Sequence, residues 1–224
     1  MTRSIAEQTV AELGGRASVL TRQRREHAEI DRLMVQYALT SGPDRERALK
    51  ALVRLVASHA FAEETVLWPA LRRLVPEGEE LTARVEREHQ EINDTVAEIE
   101  RMPSGDPRRA REVERVFTVI RQDIRDEEDL LLPRLRDTAS DDSLHRLGVA
   151  WAAARRTAPT HPHPTVPRRP PGNAALGIPL SATDRMRDLL GQAPAGPPLR
   201  RLLTWGGGLL LLGWTLTRAL RRAA

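Results

Sequence analysis

The chain has no cysteine, which excludes disulfides and thiolate metal sites, so any metal must rest on nitrogen and oxygen donors. It has no N-terminal stretch suited to secretion either: the apolar character of residues 5–10 is too short and too diluted by polar side chains to serve as the core of a signal peptide. A cytoplasmic start is the expectation. An excess of positive charge on a folded domain is also missing. Although the net charge is +4, residues 158–224 carry nine arginines against two aspartates, so residues 1–157 sum to −3. An acidic body with a basic tail argues against nucleic-acid binding and fits a basic segment near an anionic surface. Arg22, Arg24 and Arg25 read as a solvated helix face.

What the chain does have, it has twice. Arg25-Glu26-His27-Ala28-Glu29-Ile30-Asp31 returns as Arg87-Glu88-His89-Gln90-Glu91-Ile92-Asn93, an offset of 62. His59-x-x-x-Glu63-Glu64-x-x-Leu67-Trp68-Pro69 returns as Asp123-x-x-x-Glu127-Glu128-x-x-Leu131-Leu132-Pro133, an offset of 64. Two copies in the same order build the same thing twice, most simply about a pseudo-two-fold axis.

From residue 18 to 137 the apolar spacing is helical throughout, broken at Ser41-Gly42-Pro43-Asp44, at Pro76-Glu77-Gly78 and between Met102 and Pro107. Helices are expected over about 18–40, 44–75, 79–101 and 107–137, with Asp44 as the N-cap of the second. The short links force antiparallel neighbours, giving an all-α, up-down-up-down four-helix bundle. The expected organisation is an N-terminal extension at 1–17, the bundle at 18–137, a short capping helix at 138–157, a disordered Pro/Gly/Arg-rich linker at 158–198 and an apolar tail at 199–224. Within the linker only 182–190 is weakly helical in pattern, and His161-Pro-His163-Pro reads as a compositional accident.

Each apolar stripe is interrupted at its middle by a ligand type. His27 shares a face with Leu20, Ile30 and Met34; His59 and Glu63 share one with Leu52, Leu55, Val56 and Val66. His89 lies among Val85, Ile92, Val96 and Ile99; Asp123 and Glu127 lie among Val116, Val119, Ile120 and Leu130. Burying these carboxylates without partners would cost several kcal/mol each, against a domain stability of roughly 5–15 kcal/mol. A shared cation resolves the conflict. The i, i+4 spacing of His59 and Glu63 stacks an imidazole and a carboxylate on consecutive turns, so a metal between helices can draw on both. The order differs from the Glu-x-x-His of ferritin-type bundles. Glu64 and Glu128 fall one position off the stripe and read as outer or structural groups.

The run of His27, His59-x-x-x-Glu63, His89 and x-x-x-Glu127, with Glu-Glu-x-x-Leu-x-Pro after each acid, resembles the hemerythrin-like HHE cation-binding domain family over about residues 18–137. The resemblance implies a four-helix bundle holding two non-haem irons, with manganese as the other candidate. It also implies bridging by Glu63 and Glu127 and terminal ligation by His27, His59 and His89. The chain departs from the family pattern at Asp123, where a histidine is expected. Aspartate is a competent hard ligand, but it is shorter and anionic, and it could equally mark a mononuclear or half-filled site. The centre is poorer in nitrogen than that of an oxygen carrier, so reversible oxygen carriage is not assigned.

The longest uncharged run, residues 202–217, is sixteen long and flanked by arginines. A spanning helix needs about 20 apolar residues. Such a tail suits a thin or tilted membrane anchor in contact with lipid, a peripheral helix, or a patch that docks on a partner. Two functional classes follow: a metal protein sensing or buffering oxygen, nitric oxide, peroxide or iron, and a metal-free helical adaptor whose ligands have decayed. No substrate-recognition motif argues for a dedicated enzyme.

Overall fold

The computed structural model describes residues 3–103 and 105–192, which are helical without strands. Residues 1–185 form one compact unit, and residues 186–192 are described beyond it. The helices are α1 (Val19–Leu39), α2 (Gly42–Ala62), α3 (Trp68–Leu74), α4 (Gly78–Arg101), α5 (Pro107–Asp126), α6 (Leu132–Thr138), α7 (Asp141–Thr157) and α8 (Gly172–Gln192). α2 runs into α3, and α5 into α6, each through one π-helical turn, so the bundle has the four rods expected.

Local chemistry sets the ends. Ser18 caps α1 by accepting from Leu20 N at 3.2 Å, and Asp106 caps α5 by accepting from Arg108 N at 2.8 Å. The turn between α1 and α2 is shorter than expected: α2 begins at Gly42, whose φ of +54° favours glycine. Asp44 is therefore not the N-cap. It lies inside the first turn of α2, paired with Arg47, and Ser41 occupies the cap without a side-chain bond.

The π turns, Glu63–Leu67 and Glu127–Leu131, are the main local departure from regular helices. Their register shows in Trp68 N–H bonding Glu63 O and Leu132 N–H bonding Glu127 O, five residues back in each case. Pro69 and Pro133 follow at once. A proline has no N–H to donate and crowds the carbonyl four residues earlier, so a widened turn just before it relieves the clash. Each widened turn opens on a glutamate pair, Glu63-Glu64 and Glu127-Glu128.

The core is two apolar clusters with a polar layer between them. One includes Leu20, Ala62, Leu67, Trp68, Val85, Leu131, Leu135 and Trp151; the other includes Ile30, Met34, Leu52, Ile92, Val96, Phe117 and Ile120. Along each rod the metal-ligand residue types fall between members of the two: His27 between Leu20 and Ile30, His89 between Val85 and Ile92, Asp123 and Glu127 between Ile120 and Leu131. α7 packs across α1 and α2, and Gly148 makes this possible: a Cβ there would stand 2.3 Å from Ala17 O.

The expectation of disorder over 158–198 is overturned for the described part. Residues 158–171 lie on the bundle, and α8 follows them. Asp184 accepts from Thr160 N and His161 N and pairs with His163, while Asn173 donates to Thr65 Oγ1 at 3.1 Å. The stretch is poor in large apolar side chains and is held by charge and hydrogen bonds instead, a mode that a hydrophobic-pattern reading misses. Among the described residues no helix is long and apolar enough to cross a membrane, and the tail at 199–224 lies outside them.

Candidate metal centre

All six residues singled out in the sequence, His27, His59, Glu63, His89, Asp123 and Glu127, are buried in the polar layer and meet there. They form two groups sharing Glu127: His27, His59, Glu63 and Glu127 in one, His89, Asp123 and Glu127 in the other. In the first, His27 Nε2 lies 3.1 Å from His59 Nε2 and 3.1 Å from Glu127 Oε2, and His59 Nε2 lies 3.0 Å from Glu63 Oε1. In the second, His89 Nε2 is 3.5 Å from Asp123 Oδ1, 3.5 Å from Glu63 Oε2 and 3.6 Å from Glu127 Oε1. Glu63 and Glu127 thus each direct one oxygen to either half.

The histidine orientations have a common cause. His27 Nδ1 donates to Glu128 Oε1 at 2.8 Å, His59 Nδ1 to Glu26 Oε2 at 3.0 Å and His89 Nδ1 to Glu64 Oε1 at 2.9 Å. With a carboxylate accepting from each Nδ1, that nitrogen carries the proton in either form of the ring, and each Nε2 faces inward as the nitrogen that a metal takes when it displaces the second proton. Carboxylate-backed imidazoles of this kind are the usual way proteins fix a metal-binding tautomer. Glu64 and Glu128 both lie in the π turns, directly after the inner glutamates, and Glu128 is the less buried of the two. Glu64 is only 2% exposed.

Sequence reasoning missed Glu26 and Gln23. Gln23 is fully buried and donates from Nε2 to Glu63 Oε1 at 2.7 Å. Both had a signal: Glu26 sits in the repeated Arg-Glu-His, and Gln23 lies one turn before His27 on the same stripe. Trp151 of α7 sets its ring edge-on to His59 with centroids 5.8 Å apart.

The electrostatics ask for a cation. Burial pushes the His27 imidazole down, yet the carboxylates of Glu127 and Glu128 outweigh it and raise its pKa to about 10. His59 is likewise raised to about 9, by Glu63 and Glu26 against burial, and His89 is raised well above its ordinary value by Asp123, Glu127 and Glu64. Burial and the nearby Glu127 push Glu63 up; Glu127 is drawn down, despite burial, by the imidazoles around it. Burial raises Asp123 as well, with Glu127 adding to it and His89 opposing. Three imidazoles therefore face three inner and three outer carboxylates in a buried layer.

Whether these residues fit a metal can be tested on their unused atoms. Glu63 Oε2, Asp123 Oδ1 and both oxygens of Glu127 are buried without a hydrogen bond of good geometry, although imidazole nitrogens lie close by. Unpartnered buried oxygens are costly unless something else satisfies them. Neighbouring ligands about 2.1 Å from an octahedral cation stand about 3 Å apart, close to the spacing of the first group. The donor set of nitrogen and hard oxygen suits iron or manganese. The residues fit the cation.

A family model, the hemerythrin HHE cation-binding domain, matches residues 12–135. The chain belongs to that family. An uncharacterised hemerythrin-like protein of Schizosaccharomyces pombe is 24% identical over 140 residues, covering 62% of this chain and 69% of that protein. No solved structure matches. The hemerythrin match begins before the bundle, which agrees with Leu13 being fully buried in the core. It ends before α7, so Trp151 and everything after it lie beyond the matched stretch.

Proposed function

We propose that this hemerythrin-family chain binds two iron ions in the polar layer, with Glu63 and Glu127 shared between them, and that it senses or buffers a small species rather than carrying oxygen. The observation that carries the reading is the division of each glutamate's oxygens between the two halves. His27 and His59 would hold one ion, His89 and Asp123 the other. Iron there supplies one-electron chemistry and, at any coordination position left free, a place for oxygen, nitric oxide or peroxide. The chain's own residues do the rest: the outer carboxylates hold each Nδ1 proton, and the two apolar clusters exclude water on either side.

The inequality of the halves favours sensing or buffering. One half offers two imidazoles; the other offers one imidazole and an extra anion, which favours the higher charge state of its ion. Asp123 also bears on the metal-free adaptor. Its Oδ1 is turned toward His89 Nε2 at 3.5 Å rather than toward solvent, which supports a retained ligand. Elemental analysis and a visible spectrum of the purified chain after anaerobic iron loading test the reading. Close to two irons with charge-transfer bands is the expected result, and a chain that takes up no iron or manganese is the adaptor.

The tail enters the proposal as a tether, on the strength of its sixteen uncharged residues flanked by arginines. Full-length protein is then expected to sediment with membranes and resist carbonate extraction. Release by salt alone would reduce it to peripheral attachment.

A further inference from the structure

Two arginines from beyond the family-matched stretch reach the carboxylates behind the histidines. Arg155 of α7 pairs through Nη1 with Glu26 Oε1, while Glu26 Oε2 accepts from His59 Nδ1 at 3.0 Å. The same guanidinium donates from Nη2 to Ser58 Oγ at 2.9 Å and lies over the Trp151 ring, 5.3 Å from its centroid, and Trp151 is the residue edge-on to His59. Arg168, in the segment before α8, places Nη1 3.6 Å from Glu64 Oε1, the oxygen that accepts from His89 Nδ1, and its Nε donates to Gln90 Oε1 at 3.0 Å. Arg155 is about a fifth exposed, as is Arg168, so both charges are poorly screened. One guanidinium thus stands behind each half of the centre.

We propose that Arg155 and Arg168 are positioning residues for the metal pair, with Arg155 acting on one half through Glu26 and His59 and Arg168 on the other through Glu64 and His89. The physical basis is twofold. A carboxylate shared with a guanidinium is fixed in place, and so is the imidazole it orients. It also gives less electron density to that imidazole than an unshared carboxylate would, so each arginine lowers the donor strength of its histidine and, as a nearby positive charge, disfavours the oxidised ion. The C-terminal segment is then part of the centre, and two sites of adjustment exist that the bundle alone does not contain.

This inference rests on the two-iron reading, and the experiment separates the two. Full-length protein is loaded with iron, its metal content measured and its reduction potential determined, for the parent and for Arg155→Met, Arg168→Met, Arg155→Lys and Arg168→Lys. Methionine keeps the packing of the stem without the charge. The expected result is iron retained, a lower reduction potential in each methionine variant, a further drop when both are combined, and a potential near the parent's in the lysine variants. Iron affinity in the methionine variants should fall by roughly tenfold, the low end for an outer partner. Arg109→Met, which breaks a pair with Glu46 where α2 and α5 begin, is the control and should leave the potential unchanged. Unchanged potentials in iron-bearing Arg155→Met and Arg168→Met overturn the inference, as does an equal shift in Arg109→Met, which would make the effect one of stability. A parent that binds no iron removes the underlying reading and the inference with it.

Discussion

The Nε2 atoms of His27 and His59 face each other at 3.1 Å across α1 and α2, each nitrogen turned inward because a glutamate holds the far side of its ring. Two nitrogens at that distance repel as lone pairs and as charged N–H groups alike, and a cation between them relieves both. The parent is expected to take up close to two irons. Glu63→Ala and Glu127→Ala should each lose more than one ion, because each removes an oxygen from both halves. His145→Ala should keep the parent's content, since His145 Nε2 is engaged with Gly14 O at 2.6 Å, away from the polar layer. Elemental analysis decides, and full occupancy in either alanine variant of the glutamates would contradict a shared role.

Asp123 offers a test built on the repeat. His59 corresponds to Asp123 and Glu26 to Glu88, so Glu88 is the outer acid of a histidine that the chain does not have. Its situation fits: burial, with Asp123 and Asp126 close by, pushes its carboxyl up to about 7, offset in part by Arg84. Asp123→His should keep two metals and raise the reduction potential by replacing an anionic donor with a neutral one. In that background Glu88→Gln should weaken metal binding by about 10–100-fold, the usual cost of losing an outer partner, while costing little in the parent. Equal effects in both backgrounds would disconnect Glu88 from position 123. Asp123→Ala should weaken binding at one ion.

The four rods and the inward residues were legible because each follows from spacing: apolar stripes at helical period, interrupted at matching places. The π turns were not, although Pro69 and Pro133 stood in the repeat, because a proline near a helix start reads equally as an ordinary first-turn residue. Glu64 and Glu128 read as outer or structural groups, and the structure gives them that place, as the partners of His89 Nδ1 and His27 Nδ1. Glu26 and Gln23 carried only a weak signal, the repeated Arg-Glu-His and a place one turn before His27, and Arg155 carried none. A polar side chain next to a ligand reads equally as solvated, and only the packing of a neighbouring helix shows that it is engaged. Arg168 and Asp184 show the same limit in the C-terminal segment, where ionic contacts order a composition that looks unable to fold.

The separation of the core into two clusters predicts that stability and metal binding can be uncoupled. Phe117 is 2% exposed and meets Tyr37 edge-on, with ring centroids 5.3 Å apart, inside the cluster that excludes the Trp68 side of the bundle. Phe117→Ala should cost about 3–5 kcal/mol of unfolding free energy. Folded protein at low temperature should nevertheless hold the parent's iron content. Loss of iron in step with loss of stability would mean that the polar layer is not independent of the packing beside it.

Protons and metal compete for the same nitrogens, which fixes the sign of a pH effect on the metal-free chain. The pKa of His27 is raised to about 10 and that of His59 to about 9, in both cases by carboxylates that outweigh burial. A histidine in an unfolded chain titrates near about 6.5. Folded values above the unfolded one mean that the charged imidazoles contribute stability fully below about pH 6.5, and that the contribution is lost as pH rises through about 9 to 10. The thermal midpoint of the metal-free protein should therefore fall between about pH 7 and about pH 10, as neutral imidazoles leave the buried carboxylates without counter-charge. With iron bound, the nitrogens are occupied and the midpoint should be nearly flat over the same range. Thermal melts of the metal-free and iron-loaded chain across that range supply the comparison, and equal slopes for the two forms would show that the histidines are not where the metal binds.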